Sequence, residues 1–485
     1  MIDASAPPLR LAVVGHTNTG KTSLLRTLTR DRSFGQVMDS PGTTRHVEGA
    51  RLLSDGHTAV ELFDTPGMED GIGLMDYLDQ LAQRAERLDG PERIRRFLGT
   101  PESAHRFEQE ARVLAKLLEC DAGLYVVDVR DPILGKHKDE LAILASCGRP
   151  LLPVLNFTHS PQQRTDSWRE ALARLNLHAM VEFDTVAPAL DGEAQLYDKL
   201  ALLLDARAPV LQNLKEDVAR QRAIRRADAA RLIAELLVDA AALRLSSAPD
   251  ETSLVQATQA LRAKISEREN ACVRALLKRY KFNAQDFPRH TLPLEGERWG
   301  MDLFHPQALK DAGLHLGKGM AAGAMAGATV DLFTAGLSLG AAALIGAAAG
   351  GLWQGADRYG KRVVGLLKGY QEISVDDAVL CLLALRQIDL ARALERRGHA
   401  AQSPISLEPA VLEPGTDRPG QDPTPESAPQ TPLAATQARL RKGRLPEPLI
   451  EARSQPEWST LSTQFQASPR REQAVRELGE LLREE

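Results

Sequence analysis

The sequence predicts two folded parts. One is an α/β domain with a doubly wound, mostly parallel sheet, and the other is a mainly α-helical C-terminal domain. Three observations carry this. The stretch Gly15-His16-Thr17-Asn18-Thr19-Gly20-Lys21-Thr22 stands between the apolar run Leu11 to Val14 and the amphipathic run Ser23 to Leu28, which reads as strand, tight turn, helix. Strand-like and helix-like runs then alternate to about residue 205, the pattern of a parallel sheet wrapped by helices. Beyond about residue 207 long helical periodicities take over.

The glycine-rich stretch fits G-x-x-x-x-G-K-[ST], the phosphate-binding loop. Its glycines let the backbone wrap closely around phosphate oxygens. The N–H groups point inward and the next helix presents its positive end. In that motif Lys21 reaches the β- and γ-phosphates and the Thr22 hydroxyl binds Mg²⁺. Residues 46–53 and 58–63 flank Asp55-Gly56, a hairpin signal, so an antiparallel pair is expected beside the first strand. The second of these strands runs into Asp64-Thr65-Pro66-Gly67.

Residues 68–120 form a helical insertion. Leu74, Tyr77, Leu78, Leu81, Ala85 and Leu88 recur at helical spacing. Thr100-Pro101-Glu102 reads as an N-cap with Pro in the first turn of another helix. An effector arm and a passive elaboration explain the insertion equally well. The α/β pattern resumes with strand 123–128, helix 138–147 and strand 150–156. A helix from Ser160-Pro161 to about Leu175, a strand 179–183 and a helix 191–204 complete it.

Residues 208–245 and 252–280 read as two long helices. Arg220, Arg222, Arg225, Arg226 and Arg231 make the first one basic, better explained by a solvated face than by a lipid or nucleic-acid contact. Residues 319–353 carry one charged residue, Asp331, and glycines four apart at Gly319, Gly323 and Gly327. Such spacing lets helix backbones pair closely, as in membranes. A hairpin turning near Asp331 to Gly336 fits the length, with basic residues on both flanks. It serves equally as an inner-membrane contact or as tightly packed soluble core. Residues 372–397 read as a helix. The expected division is a nucleotide-binding domain over 1–207, a helical domain over 208–400, a disordered linker over 401–436 and a tail over 437–485 with a short helix from about residue 469.

The order of the phosphate loop, Asp39-Ser40-Pro41-Gly42-Thr43-Thr44-Arg45, Asp64-Thr65-Pro66-Gly67 and Leu152-Pro153-Val154-Leu155-Asn156 resembles the TrmE–Era–EngA group of bacterial P-loop GTPases. The resemblance covers about residues 9–205. The C-terminal part is similar to uncharacterised helical domains that follow such GTPases in proteobacteria, a similarity that carries no biochemical role. The resemblance implies a regulatory GTPase that hydrolyses GTP to GDP and phosphate with Mg²⁺. It implies that Gly15, Asn18, Thr19, Gly20, Lys21, Thr22 and Ser23 cradle the phosphates. Thr44 becomes the switch residue that ligates Mg²⁺ and contacts the γ-phosphate. Asp64 holds Mg²⁺ through water, and the Gly67 N–H senses the γ-phosphate. Lys21, Thr44 and Gly67 form the catalytic set.

Two positions depart from the commoner pattern. Met68 stands where many GTPases carry a Gln that orients the attacking water, and a thioether cannot do this. TrmE-like members instead use a potassium ion held partly by a phosphate-loop Asn. Asn18 matches that position, so K⁺ is a candidate cofactor, with a plain turn residue as the other reading. The base-reading pattern N-K-x-D becomes Asn156-Phe157-Thr158-His159. Asn156 is kept and Phe157 can cover a ring face, but His159 is no bidentate carboxylate acceptor. Asp184, in the last loop of the domain, is the candidate replacement.

Composition limits the alternatives. The formal net charge of -5 over 485 residues points to no nucleic acid. The four cysteines are far apart and form no C-x-x-C pair, so neither zinc nor a disulfide framework is expected. No basic-then-apolar leader precedes the first strand. A cytoplasmic protein is expected, with inner-membrane lipid a candidate partner of 319–353 and an effector protein unidentified. Besides a regulatory GTPase, two readings remain open. One is a nucleotide-gated membrane scaffold with incidental turnover, and the other is an ATPase or less base-selective nucleotidase.

Overall fold

The computed structural model describes residues 7–31, 34, 47–54, 56–83, 88–282, 303–304, 337–339, 371–399, 401 and 431–483. The chain divides into two compact units, Met1–Arg222 with Glu395–Ser403, and Ala223–Leu394 with Pro404–Glu485.

In the first unit β1 (Leu9–Val14), β2 (Glu48–Ser54), β3 (His57–Asp64), β4 (Ala122–Asp128), β5 (Leu151–Asn156) and β6 (Val181–Glu182) form one sheet in the order β2-β3-β1-β4-β5-β6. All neighbours are parallel except β2 and β3. This is the expected doubly wound, mostly parallel sheet. The two-residue side-chain period explains why β1 is apolar at every position but Arg10. Leu9, Leu11 and Val13 enter one core with α1 (Lys21–Thr29), while Ala12 and Val14 enter the core on the other face. β1, β3 and β5 end at the phosphate loop, Asp64 and Asn156 respectively. The candidate groups therefore gather at the carboxyl edge of the sheet, where open α/β sheets bind ligands.

The insertion contains α2 (Gly71–Gln83), α3 (Gly90–Leu98) and α4 (Glu108–Glu119). Tyr77, Phe97 and Phe107 lock these helices together at ring separations of 5.7 to 6.1 Å. Asp89 and Glu92 close a capping box on α3. The helix expected from Thr100 is only a 3-10 turn over Pro101–Ser103. The Thr100 hydroxyl bonds back to the Phe97 carbonyl (2.7 Å) instead of capping forward, and α4 starts later. The unit is completed by α5 (Gly135–Ala145), α6 (Thr165–Arg174) and α7 (Gly192–Leu203).

The second unit is mainly helical. α8 (Ala208–Ala242) enters it from the first unit, followed by α9 (Glu251–Arg279), α10 (Asp377–Arg396), α11 (Pro432–Arg441), α12 (Glu447–Arg453) and α13 (Pro469–Leu482). Ile233, Leu237, Leu261, Leu276, Val379, Leu383, Leu449 and Val475 share one core. A buried carboxylate, Asp239, ties its helices. It meets Arg268 at 2.8 Å and Arg471 at 3.0 Å, and accepts from the Thr460 hydroxyl at 2.8 Å.

Three expectations change here. Residues 371–375 form a strand, β9 (Gln371–Val375), because Ile373 and Val375 alternate with polar residues and bury one face. α10 starts only at Asp377. β9 pairs with β7 (Leu245–Ser247) and β8 (Leu337–Leu339). Leu337 and Leu339, expected on a helix of the glycine-rich hairpin, are thus on a strand, and the rest of 319–353 lies outside the described residues. The end of the chain is not a tail with one short helix. The Thr431 side chain caps α11, which begins inside the expected linker, and three helices bury Leu440, Leu449, Trp458 and Leu478. The basic residues of α8 are largely ion-paired, Arg220 with Asp217, Arg222 with Glu395, and Arg231 with Glu235 and Glu472.

Candidate nucleotide-binding site

β1 hands the chain to the phosphate loop, and Gly20 turns it into α1. Gly20 has φ +92, and a Cβ there would overlap the Asn156 amide. Only glycine allows both. Asn156 is fully buried, and its one side chain joins three loops. It donates to the Thr19 carbonyl (2.9 Å) and accepts from the N–H groups of Phe157 (2.9 Å) and Thr185 (3.0 Å).

Lys21 folds back over the loop, donating to the carbonyls of Gly15 (3.1 Å) and His16 (2.7 Å). Burial lowers its pKa to about 8, against the attraction of Asp64, Glu140 and Glu69. The Thr22 hydroxyl donates to Asp64 Oδ2 at 2.5 Å. Burial raises the Asp64 carboxyl to about 6, although the Thr22 hydrogen bond and the Lys21 charge pull it down. Asp64 Oδ1 is buried with no hydrogen-bond partner. An orphaned carboxylate oxygen beside a hydroxyl fits a hard cation that keeps most of its waters and takes the rest of its shell from phosphate. Thr22 and Asp64 therefore fit Mg²⁺. Among the described residues no cluster of three acidic, His or Cys side chains could cage a metal alone.

The Thr65 hydroxyl anchors the Asp64–Gly67 segment to the Val13 carbonyl at 2.7 Å. Gly67 is buried against Thr17, and the Met68 N–H donates to the Gly15 carbonyl at 3.3 Å. The Met68 side chain is fully buried in the core, so it holds no water. Asn18 is exposed on the crest of the loop with φ 64, and Ser23 is half-buried on α1. Thr44 lies outside the described residues.

On the base side, Phe157 has φ 61 and its ring carries the Arg130 guanidinium at 3.9 Å. Arg130 is itself held by Asp128. Asp184, the candidate replacement acceptor, is buried and bonded to backbone N–H groups. Its Oδ1 takes the N–H groups of Val186 (2.9 Å) and Ala187 (3.1 Å), and its Oδ2 takes that of His159 (3.1 Å). These bonds shape its own loop. The Thr27 hydroxyl fixes this loop through the Thr185 carbonyl (3.0 Å) and the Gly398 N–H through that of Val186 (2.9 Å). Beside it lies a cavity of ≈ 440 Å³ lined by Thr158, His159, Arg169, Glu182, Asp184 and Gln195, among others.

Some site contacts follow no motif. His16 Nδ1 lies 2.6 Å from the buried Glu140, and Lys136 Nζ lies 2.8 Å from His16 Nε2. Glu110 on α4 accepts the N–H groups of Glu69 and Asp70. In sequence Lys136, Glu140 and Glu110 are isolated polar positions on helices, indistinguishable from solvated ones.

A family model described as "50S ribosome-binding GTPase" matches residues 10–157, and one described as "Domain of unknown function (DUF3482)" matches residues 169–480. A probable GTP-binding protein EngB of Oleidesulfovibrio alaskensis is 30% identical over 172 residues, 35% of this chain and 64% of that protein. A GTPase Der of Akkermansia muciniphila is 30% identical over 171 residues, 35% of this chain and 31% of that protein. The chain thus spans less than two thirds of the length of either relative. A crystal structure of Era from Aquifex aeolicus has a TM-score of 0.28 at 17% identity, covering 40% of this chain and 56% of that one. The second family model covers more than half of the chain. The chain belongs to the DUF3482 family, whose domain here follows a P-loop GTPase-type domain resembling those of EngB and Der.

Proposed function

We propose that the protein is a regulatory GTPase that binds GTP with Mg²⁺ and hydrolyses it to GDP and phosphate. The observation that carries this is the Thr22–Asp64 pair with its orphaned Oδ1, set beside Lys21 in a phosphate loop. Lys21 exchanges the carbonyls of Gly15 and His16 for β- and γ-phosphate oxygens, which restores full charge to a desolvated ammonium. Mg²⁺ neutralises charge on the β- and γ-phosphates. The Gly67 N–H contacts the γ-phosphate, and Thr44 closes from the first switch. Loss of the γ-phosphate frees both loops, which is how the nucleotide state would reach the insertion and residues 208–400.

Met68 offers no group to orient water, so intrinsic turnover is slow. Asn18 on the loop crest supports stimulation by potassium. The engagement of Asp184 favours a second reading of the base site, in which guanine is preferred over adenine by less than an intact N-K-x-D pattern gives. Residues 319–353 are read as contacting lipid at the inner membrane, on sequence grounds alone. No helix of the described residues is long and apolar enough to cross a membrane.

The test is a side-by-side titration of the full chain with GTP, GDP and ATP in Mg²⁺, with sodium or with potassium, repeated on Lys21→Ala. Tight GTP binding that Lys21→Ala abolishes is expected, with faster turnover in potassium. Unchanged affinity in the variant would overturn the site, and equal ATP and GTP binding would leave a general nucleotidase. Fractionation tests the lipid contact, since full-length protein wholly in a low-salt supernatant would refute it.

A further inference from the structure

We propose that Glu110 is a positioning residue for the γ-phosphate-sensing loop, through which the insertion sets the geometry of Gly67. The inference rests on the GTPase reading. Glu110 is the third residue of α4 and is 4% exposed. One oxygen, Oε1, accepts the Glu69 N–H at 2.9 Å and the Asp70 N–H at 3.0 Å. Both bonds are charge-assisted, the stronger kind. Asp70 caps α2 in turn, its Oδ1 accepting from the Gly73 N–H at 2.8 Å. Glu110 thus holds the two residues that follow Met68, and through Asp70 the first turn of α2.

Glu69 and Asp70 are exposed residues, while the carboxylate that holds their N–H groups is buried. What the carboxylate adds is position. Its own helix is fixed to α2 through Phe107, which packs against Tyr77 at 5.7 Å and Phe97 at 6.1 Å. A loop that moves with the γ-phosphate must carry α4 with it or release Glu110. That links the nucleotide to the insertion by two hydrogen bonds and one aromatic cluster.

The experiment compares wild type, Glu110→Ala and Glu110→Gln as full chains. In nucleotide-free protein, amide exchange at Glu69 and at Asp70 should each be about tenfold faster in Glu110→Ala, because each amide loses its one charge-assisted bond. GTP turnover should fall about tenfold in kcat, with KM and GDP affinity changed by less than about twofold. Glu110→Gln keeps an acceptor oxygen and should recover most of both effects. Unchanged exchange in Glu110→Ala overturns the proposal. So does a parallel loss of GDP affinity, kcat and melting temperature, which would mark a purely structural residue. A wild type without GTP turnover would refute the GTPase reading, while the exchange measurement still decides Glu110.

Discussion

Asp64→Asn should make the nucleotide-free protein more stable at neutral pH and no more stable in acid. Burial raises the Asp64 carboxyl from 3.8 to about 6. A folded pKa above the unfolded one favours the fold when the group is protonated. That contribution is fully present below the unfolded value and is lost as pH rises through about 6. A shift of about two units at about 1.4 kcal/mol each costs about 3 kcal/mol at neutral pH. The asparagine keeps the shape and can still accept from Thr22. Lys21 loses its strongest counter-charge, which takes back part of the gain. A net gain of about 2 kcal/mol is expected, or about 4–8 °C in the melting of a unit of this size. Calorimetry on EDTA-treated protein between about pH 4 and pH 8 reads the difference between variant and wild type. The two should coincide at the acid end and separate through about pH 6. Parallel curves across the range would refute the burial argument. Excess Mg²⁺ and GDP should reverse the ranking, because only the wild type keeps the carboxylate for the metal.

Four further outcomes follow from named contacts. Asp184→Ala leaves three N–H groups without an acceptor and should weaken GTP and ATP alike by about tenfold; a loss confined to GTP, in the same titration, would mean that the carboxylate reads the base. GTP affinity should fall about tenfold per pH unit above about 8, since neutral Lys21 must take up a proton to bind phosphate, and a flat calorimetric profile there would contradict the lowered pKa. Asp239→Ala strands Arg268 and Arg471 and should cost about 3–5 kcal/mol in urea unfolding of the second unit. Gly398→Ala would push a Cβ into the Thr185 carbonyl, so faster amide exchange over residues 184–187 is expected.

The legible parts of this protein were those in which neighbours in sequence act together. The phosphate loop, Asp64 to Gly67 and Asn156 each end a strand, so one short run names both the element and the group it presents. The apolar runs of β1, β4 and β5 announce burial on both faces. Long-range partners left no such trace. Glu110 meets residues about forty positions away, and nothing in helical periodicity separates it from a solvated glutamate. Residue type makes Asp184 a candidate acceptor, but type does not reveal that nearby amides bond to its oxygens. The helix from about residue 469 was legible, but α11 was hidden by composition. Pro, Ser and Gln dominate the approach to Thr431, yet Thr431-Pro432 is itself a helix-start signal.

The first unit is closed by a distant piece of its own chain. α10 leaves the second unit at Leu394, and Glu395–Ser403 belongs to the first. There Glu395 pairs with Arg222 at 3.2 Å, the Gly398 N–H reaches Val186, and His399 and Ala401 are buried. During synthesis, residues 1–222 emerge long before that segment exists. Domains tend to fold as they leave the ribosome, so the loop at 184–187 must wait for its last partner until α10 has been made. A gene cut after residue 207 or 222 would therefore release an unfinished nucleotide-binding unit. Graft experiments that exchange the C-terminal half between family members must carry the acceptor loop along with the segment that seals it.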